Sequence, residues 1–95
     1  MNEYRILVVD DEEDLCEILK FNLENEGYEV DTVTNGQDAL DRCRATTYDL
    51  IFLDENMPGL SGLQTLALIK EICPTVPVIM ICLLYTSPSP RDISG

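Results

Sequence analysis

Ile6-Leu7-Val8-Val9-Asp10-Asp11 and Leu50-Ile51-Phe52-Leu53-Asp54 are two short, wholly apolar runs that each stop on an acid. A run without polar alternation, rich in branched aliphatic side chains, is a strand buried on both faces, as in a parallel sheet. Val78-Ile79-Met80-Ile81 is a third such buried run, with Pro77 at the tolerable first position of a strand. Helical patterns lie between them. Leu15, Ile18, Leu19 and Leu23 recur at helical spacing over about 13 to 26, behind an acidic first turn and ahead of Gly27 as a C-terminal cap. Tyr28 to Val33 is a strand of mixed polarity, suited to a sheet edge, and Asn35-Gly36 closes it. Ala39, Leu40 and Cys43 mark a brief second helix that ends near Thr46-Thr47. A third helix can be capped by Ser61, turns Leu63, Leu66, Ile69 and Ile72 to the core, and is stopped by Pro74. The order β-α-β-α-β-α-β, with right-handed crossovers, predicts an α/β fold: a doubly wound parallel sheet with helices on both faces.

Ninety-five residues at 45% hydrophobic content suffice for one core, so a single domain is expected. The net charge is −12, of which residues 1 to 31 carry −9 from eleven acids and two bases. A basic nucleic-acid-binding face is therefore not expected in this segment. No apolar stretch approaches the roughly 20 residues of a membrane span, and the start lacks a secretory signal, so an intracellular, cytoplasmic protein is expected. Four cysteines without paired close spacing, and no histidine, leave no zinc site and no Ser-His or Cys-His nucleophile. Cys16 and Cys43 read as small apolar helix residues without a redox or metal role. Any chemistry must run on carboxylates.

The chain changes character at Cys82. Tyr85-Thr86-Ser87-Pro88-Ser89-Pro90 has neither periodicity nor enough apolar content to fold as a helix. Residues 82 to 92 match what a common transposase-type sequencing-library adaptor encodes in one reading frame. Residues 1–81 are accordingly expected to be the domain, cut short after its fourth strand, and 82–95 a non-native tail.

Parallel strands point one way, so Asp10, Asp11 and Asp54 should emerge at the same carboxyl edge of the sheet, where doubly wound folds bind ligands. Three carboxylates there repel one another. At ~4 Å and an effective dielectric of ~20, each ionised pair costs on the order of 4 kcal/mol. A divalent cation relieves that repulsion, and hard oxygen ligands favour Mg²⁺. A single acid after a strand is more often a turn former; Asp14 and Glu17 read as solvated helix-start acids.

Ile6-Leu7-Val8-Val9-Asp10-Asp11-Glu12, Leu53-Asp54, Met57-Pro58-Gly59, Ser61-Gly62 and Pro77-Val78-Ile79-Met80-Ile81 together resemble the receiver domain of bacterial two-component response regulators, over residues 4 to 81. The resemblance implies an incomplete flavodoxin-like receiver fold and a set of roles. Asp54 matches the phosphoacceptor that takes a phosphoryl group from a sensor histidine kinase or phosphotransfer domain. Asp11 matches the principal Mg²⁺ ligand, Asp10 its partner acting directly or through water, and Asn56 the residue whose backbone carbonyl completes the site. Pro58 and Gly59 shape the adjoining loop. The first helix is implied as the kinase-facing surface, and dimerisation as a property of the full-length protein. The family's Thr or Ser after strand four, its Lys after strand five and its last two helices have no counterpart here, since Cys82 stands at the first of these positions. Cut short in this way, the 95-residue chain is expected to expose its fourth strand, to be poorly stable and to phosphorylate badly.

Two other readings stay open. A pseudo-receiver would be an interaction module without phosphorylation and would be expected to have an eroded acid set. A phosphohydrolase forming an aspartyl-phosphate would place its nucleophile after strand one in an Asp-x-Asp pattern, whereas Glu12 stands at that second position.

Overall fold

The computed structural model describes residues 4–55, 57 and 59–81. Seven elements alternate along them: β1 (Arg5–Val9), α1 (Glu13–Asn25), β2 (Glu29–Val33), α2 (Gly36–Ala45), β3 (Leu50–Asp54), α3 (Gly62–Ile72) and β4 (Val78–Ile81). The strands form one parallel sheet in the order β2-β1-β3-β4. The apolar runs decide which strands lie inside. Ile6, Leu7, Val8 and Val9 of β1, and Ile51 and Leu53 of β3, are each no more than 1% exposed. The mixed-polarity β2 lies at an edge, where its solvent side can stay polar.

Strand alternation divides the core in two. Leu7, Val9, Ile51 and Leu53 pack with Ala39, Leu40 and Cys43 of α2 and Ile69 of α3. On the opposite face, Ile6, Val8 and Val30 pack with Cys16 of α1, flanked by half-buried Leu19, Leu23, Leu50 and Phe52. Full burial of one such aliphatic side chain is worth about 1.5–3 kcal/mol.

Local chemistry sets the helix ends. The Asn35 side chain accepts the Asp38 N–H at 2.8 Å. At α3, the Ser61 hydroxyl accepts the Gln64 N–H while the Gln64 side chain accepts the Ser61 N–H, both at 3.1 Å, completing a capping box. Ahead of β3, buried Tyr48 donates its hydroxyl to Asp31 at 2.6 Å; burial, reinforced by that carboxylate, pushes the phenol up to about 12.

Three expectations need correction. Ile18 is 56% exposed, and Cys16 is the α1 residue that is fully buried. Leu63 is 62% exposed, while Gly62, Thr65 and Ile69 form the buried stripe of α3. Closest approach of α3 to the sheet selects small residues, and Thr65 enters because its hydroxyl donates to the Ser61 carbonyl at 2.8 Å. Finally, β4 is only partly buried, against its reading as a third buried run but in line with the expected exposure of the fourth strand. Its Ile79 is 47% exposed and pairs with half-buried Phe52, on the face where α1 is the only helix among the described residues. The remaining elements fall within a residue or two of expectation, with Gly27 at positive φ just past α1.

Candidate functional site

Asp54 closes β3, and Asp10 follows β1 directly. Because Val9 stands opposite Leu53 in the parallel register, the next residue of each strand brings Asp10 and Asp54 side by side. Backbone bonds fix both positions: the Asp10 N–H donates to the Val33 carbonyl and the Glu55 N–H to the Ile81 carbonyl, each at 3.1 Å. Asp11, one residue on, turns outward and is exposed. One carboxylate oxygen from each of Asp10, Asp11 and Asp54 lies within 4.8 Å of the others. The expected juxtaposition of these acids is therefore present.

Their surroundings differ. Asp10 and Asp54 are both 0% exposed. The Asp10 Oδ1 accepts the Glu12 N–H at 2.9 Å, which turns the chain into α1, whereas its Oδ2 has no hydrogen-bond partner among the described residues. Removal from water pushes the Asp10 carboxyl above its ordinary value; the Glu12 N–H opposes this, and the nearby negative charge of Asp11 adds to it. Among the described residues, no Lys or Arg forms an ion pair with Asp10 or Asp11. The Cys16 thiol donates to the Asp10 backbone carbonyl at 3.2 Å, so α1 braces the strand end without touching the carboxylate; burial, with Asp10 next, pushes that thiol up to about 11. Such a pocket of acceptors, one of them buried and unsatisfied, suits a hard cation.

The far wall is the loop from β3 to α3. Asn56 and Pro58, both expected at the site, lie outside the described residues. Met57 anchors the loop in the larger core cluster, and Gly59 adopts φ +78 with open space around its Cα, a conformation glycine takes without strain. Gly62, quoted in the Ser61-Gly62 step but given no role by the sequence, is also a site residue. Its N–H donates to the Glu55 carbonyl at 3.1 Å, and a Cβ there would stand 2.5 Å from the Asp54 carbonyl oxygen. The available signal was the Ser-Gly step at the helix start: a cap followed by the smallest residue marks a helix end pressed against backbone.

On its outer side, α1 exposes Ile18 and Phe21, the latter 66% exposed, in a shallow groove completed by Asp14, Glu17 and Asn22. Among the described residues no helix is long and apolar enough to cross a membrane.

Comparison with known proteins gives a consistent set of likenesses. The model of the family described as response regulator receiver domain matches residues 6–89. The transcriptional regulatory protein ResD of Bacillus subtilis is 42% identical over 80 residues, covering 84% of this chain and 33% of its own length. The response regulator ArlR of Staphylococcus aureus is 42% identical over 77 residues, covering 81% of this chain and 35% of its own. The chain thus spans about a third of the length of the curated relatives it matches. Among solved structures, the response regulator protein TrrA from Thermotoga maritima, in complex with Mg²⁺-BeF, is 45% identical with a TM-score of 0.78, covering 82% of this chain and 68% of that one. The complex of the histidine kinase ThkA with TrrA matches with 41% identity and a TM-score of 0.79, covering 93% of this chain and 76% of that one.

Proposed function

Because the chain belongs to the response regulator receiver domain family, we propose that Asp54 accepts a phosphoryl group from a histidine kinase or phosphotransfer domain and thereby switches an output. The observation that carries this reading is the convergence of Asp10, Asp11 and Asp54 on one sheet edge, their oxygens within 4.8 Å. An Asp54 carboxylate oxygen attacks phosphorus as the bond to the donor's imidazole nitrogen breaks, and the acyl phosphate forms. Strand β3, paired on both sides by β1 and β4, aims the nucleophile, and burial shields it from bulk water.

The donor set fits Mg²⁺. It offers carboxylate oxygens only, one of which, Asp10 Oδ2, is buried without a hydrogen-bond partner among the described residues. Asp10, Asp11 and Asp54 would hold the cation through hard carboxylate oxygens, the donor type that Mg²⁺ prefers. Asp11 and Asp10 are the proposed ligands, with Asp54 and the Asn56 backbone carbonyl completing the site. Bound Mg²⁺ would offset negative charge as the phosphoryl group nears the carboxylate. In this reading Pro58 and Gly59 hold the loop clear of the entering group. Asp10 contributes twice, as a ligand and through the Glu12 N–H that starts α1.

The α1 groove with Ile18 and Phe21 is the proposed docking face for the donor protein, since exposed apolar side chains flanked by Asp14 and Glu17 suit a partner helix. The protein is proposed to be a cytoplasmic signalling component rather than a turnover enzyme. Its output is proposed to be transcription, as the names of ResD and related proteins suggest, through sequence outside this chain. Residues 82–95 are proposed to be non-native; reading the source locus past the Ile81 codon, from DNA never exposed to adaptors, tests this. Continuation into a Thr or Ser and later a Lys supports it, and recovery of Cys82 to Gly95 overturns it.

The phosphoacceptor reading is tested on the domain continued with its native sequence. A small phosphodonor with Mg²⁺ should give a hydroxylamine-sensitive label, lost with chelator and in Asp54→Asn. A label that persists in Asp54→Asn overturns the assignment.

A further inference from the structure

Cys43 and Cys73 are thirty residues apart in sequence and adjacent in space. Cys43 lies in the last turn of α2, 5% exposed, within the larger core cluster. Cys73 is the C-cap residue of α3, half-buried, and packs against the same cluster. Its thiol donates to the Cys43 backbone carbonyl at 3.8 Å. A carbonyl in a helix's last turn lacks an intrahelical partner, so this weak S–H donor serves as a cap. Burial foremost, then the neighbouring Cys73 sulfur, pushes the Cys43 thiol up to about 11. Helices that return between parallel strands end at the amino edge of the sheet, so this pair sits away from the acids. Cys16, by contrast, is buried on the opposite face, bonded to the carbonyls of Asp10 and Val33. Sequence spacing makes Cys43 a small apolar helix residue, and its burial agrees; the neighbouring sulfur gives it a second property.

We propose that Cys43 and Cys73 are an oxidisable pair that closes to an intramolecular disulfide, tying the end of α2 to the end of α3. The oxidant is a hydroperoxide. Cys73, the more accessible, attacks first: its sulfur bonds to a peroxide oxygen, the O–O bond breaks, and sulfenic acid and water result. The Cys43 sulfur then attacks the Cys73 sulfur, the S–O bond breaks, and the departing oxygen leaves as water with the Cys43 proton. Two thiols and one hydrogen peroxide thus yield one disulfide and two waters. This inference is independent of the phosphoacceptor reading.

The test treats the full 95-residue chain with hydrogen peroxide, blocks residual thiols with N-ethylmaleimide in denaturant, cleaves at acidic residues and maps the products by fragmentation mass spectrometry. The expected product joins Cys43 to Cys73, forming about tenfold or more faster in the folded chain than in guanidinium, and faster than any linkage to Cys16. It should survive Cys16→Ser and disappear in Cys73→Ser. Because Cys73→Ser could itself disturb folding, the comparison of folded and unfolded parent chain decides. Equal rates in the two states, a Cys43 that remains alkylatable, or preferential pairing through Cys82 would each overturn the proposal.

Discussion

Replacing Gly62 by Ala should damage the site through backbone that no rotamer can move aside. The new Cβ would stand 2.5 Å from the Asp54 carbonyl oxygen, 2.6 Å from the Glu55 Cα and 3.0 Å from the Glu55 carbonyl oxygen. Ordinary contact begins at 3.4 Å, so α3 and the end of β3 must separate by 3.4 − 2.5 = 0.9 Å. Overpacking of this kind costs about 1–3 kcal/mol. Against it stands a helix-propensity gain of at most ~1 kcal/mol, smaller at a first helical position. The net expectation is a loss of about 1–2 kcal/mol, read as a lower urea midpoint. A shift near 1 Å at a nucleophile costs on the order of 10²-fold in rate, so Mg²⁺-dependent labelling by a small phosphodonor should slow by more than the unfolded fraction explains. Gly59→Ala is the control. That position has φ +78 and open space, so a Cβ there costs about 1–2 kcal/mol through backbone conformation without pressing on Asp54. Its lower urea midpoint should report that backbone strain alone, which separates it from the pressure a Cβ at position 62 puts on the Asp54 carbonyl. A Gly62→Ala variant with an unchanged midpoint and an unchanged labelling rate would refute the reasoning.

Asp10→Asn should stabilise the metal-free domain at neutral pH by on the order of 1–2 kcal/mol, because it removes a buried charge from the acid cluster. It should also abolish the Mg²⁺-dependent gain, which in the parent is about 1.4 kcal/mol at ten times Kd; thermal unfolding with and without MgCl₂ reads both, and a variant that still responds to Mg²⁺ contradicts the ligand assignment. The Cys16 and Cys43 thiols are both pushed up to about 11 from 9.0. The folded state therefore holds protons the unfolded chain has released, so stability is fully present below pH 9 and falls toward pH 11, each thiol contributing at most ~1.4 kcal/mol per pH unit. A urea midpoint that stays flat across this window would remove the burial argument for both. Phe21→Ala, at a 66% exposed position, should leave stability within about 0.5 kcal/mol while slowing phosphotransfer from the donor protein and sparing small-phosphodonor labelling. Unimpaired protein-to-protein transfer would relocate the docking face.

The strands and the acids were legible in the sequence for one physical reason. A strand buried on both faces has no polar alternation, so its end is sharp, and a sharp end puts Asp10 and Asp54 at a known edge. The helices were less legible. Their apolar spacing pointed Ile18 and Leu63 inward, yet Cys16 and Thr65 are the buried residues, because the closest helix–sheet approach selects for size rather than hydropathy. Thr65 could not be read from hydropathy at all, since its burial depends on the Ser61 carbonyl one turn earlier. Gly62 escaped for the same reason: its role is an absence of side chain against the Asp54 backbone. The Cys43 and Cys73 contact has no periodic signature, because it joins the ends of two helices across thirty residues. Exposure of Ile79 follows from which helices cover which sheet face, a property of the assembled layers rather than of its strand.

The central claim is that Asp54 is the nucleophile. Its most direct test is to phosphorylate the native-sequence domain with a small phosphodonor and Mg²⁺, reduce the acyl phosphate with borohydride, and sequence the peptides. Reduction converts the labelled aspartate to homoserine and so marks the residue itself. The account predicts homoserine at position 54 alone, dependent on Mg²⁺. Homoserine at position 10 or 11 instead, or none under conditions where the domain is folded and binds Mg²⁺, would contradict it.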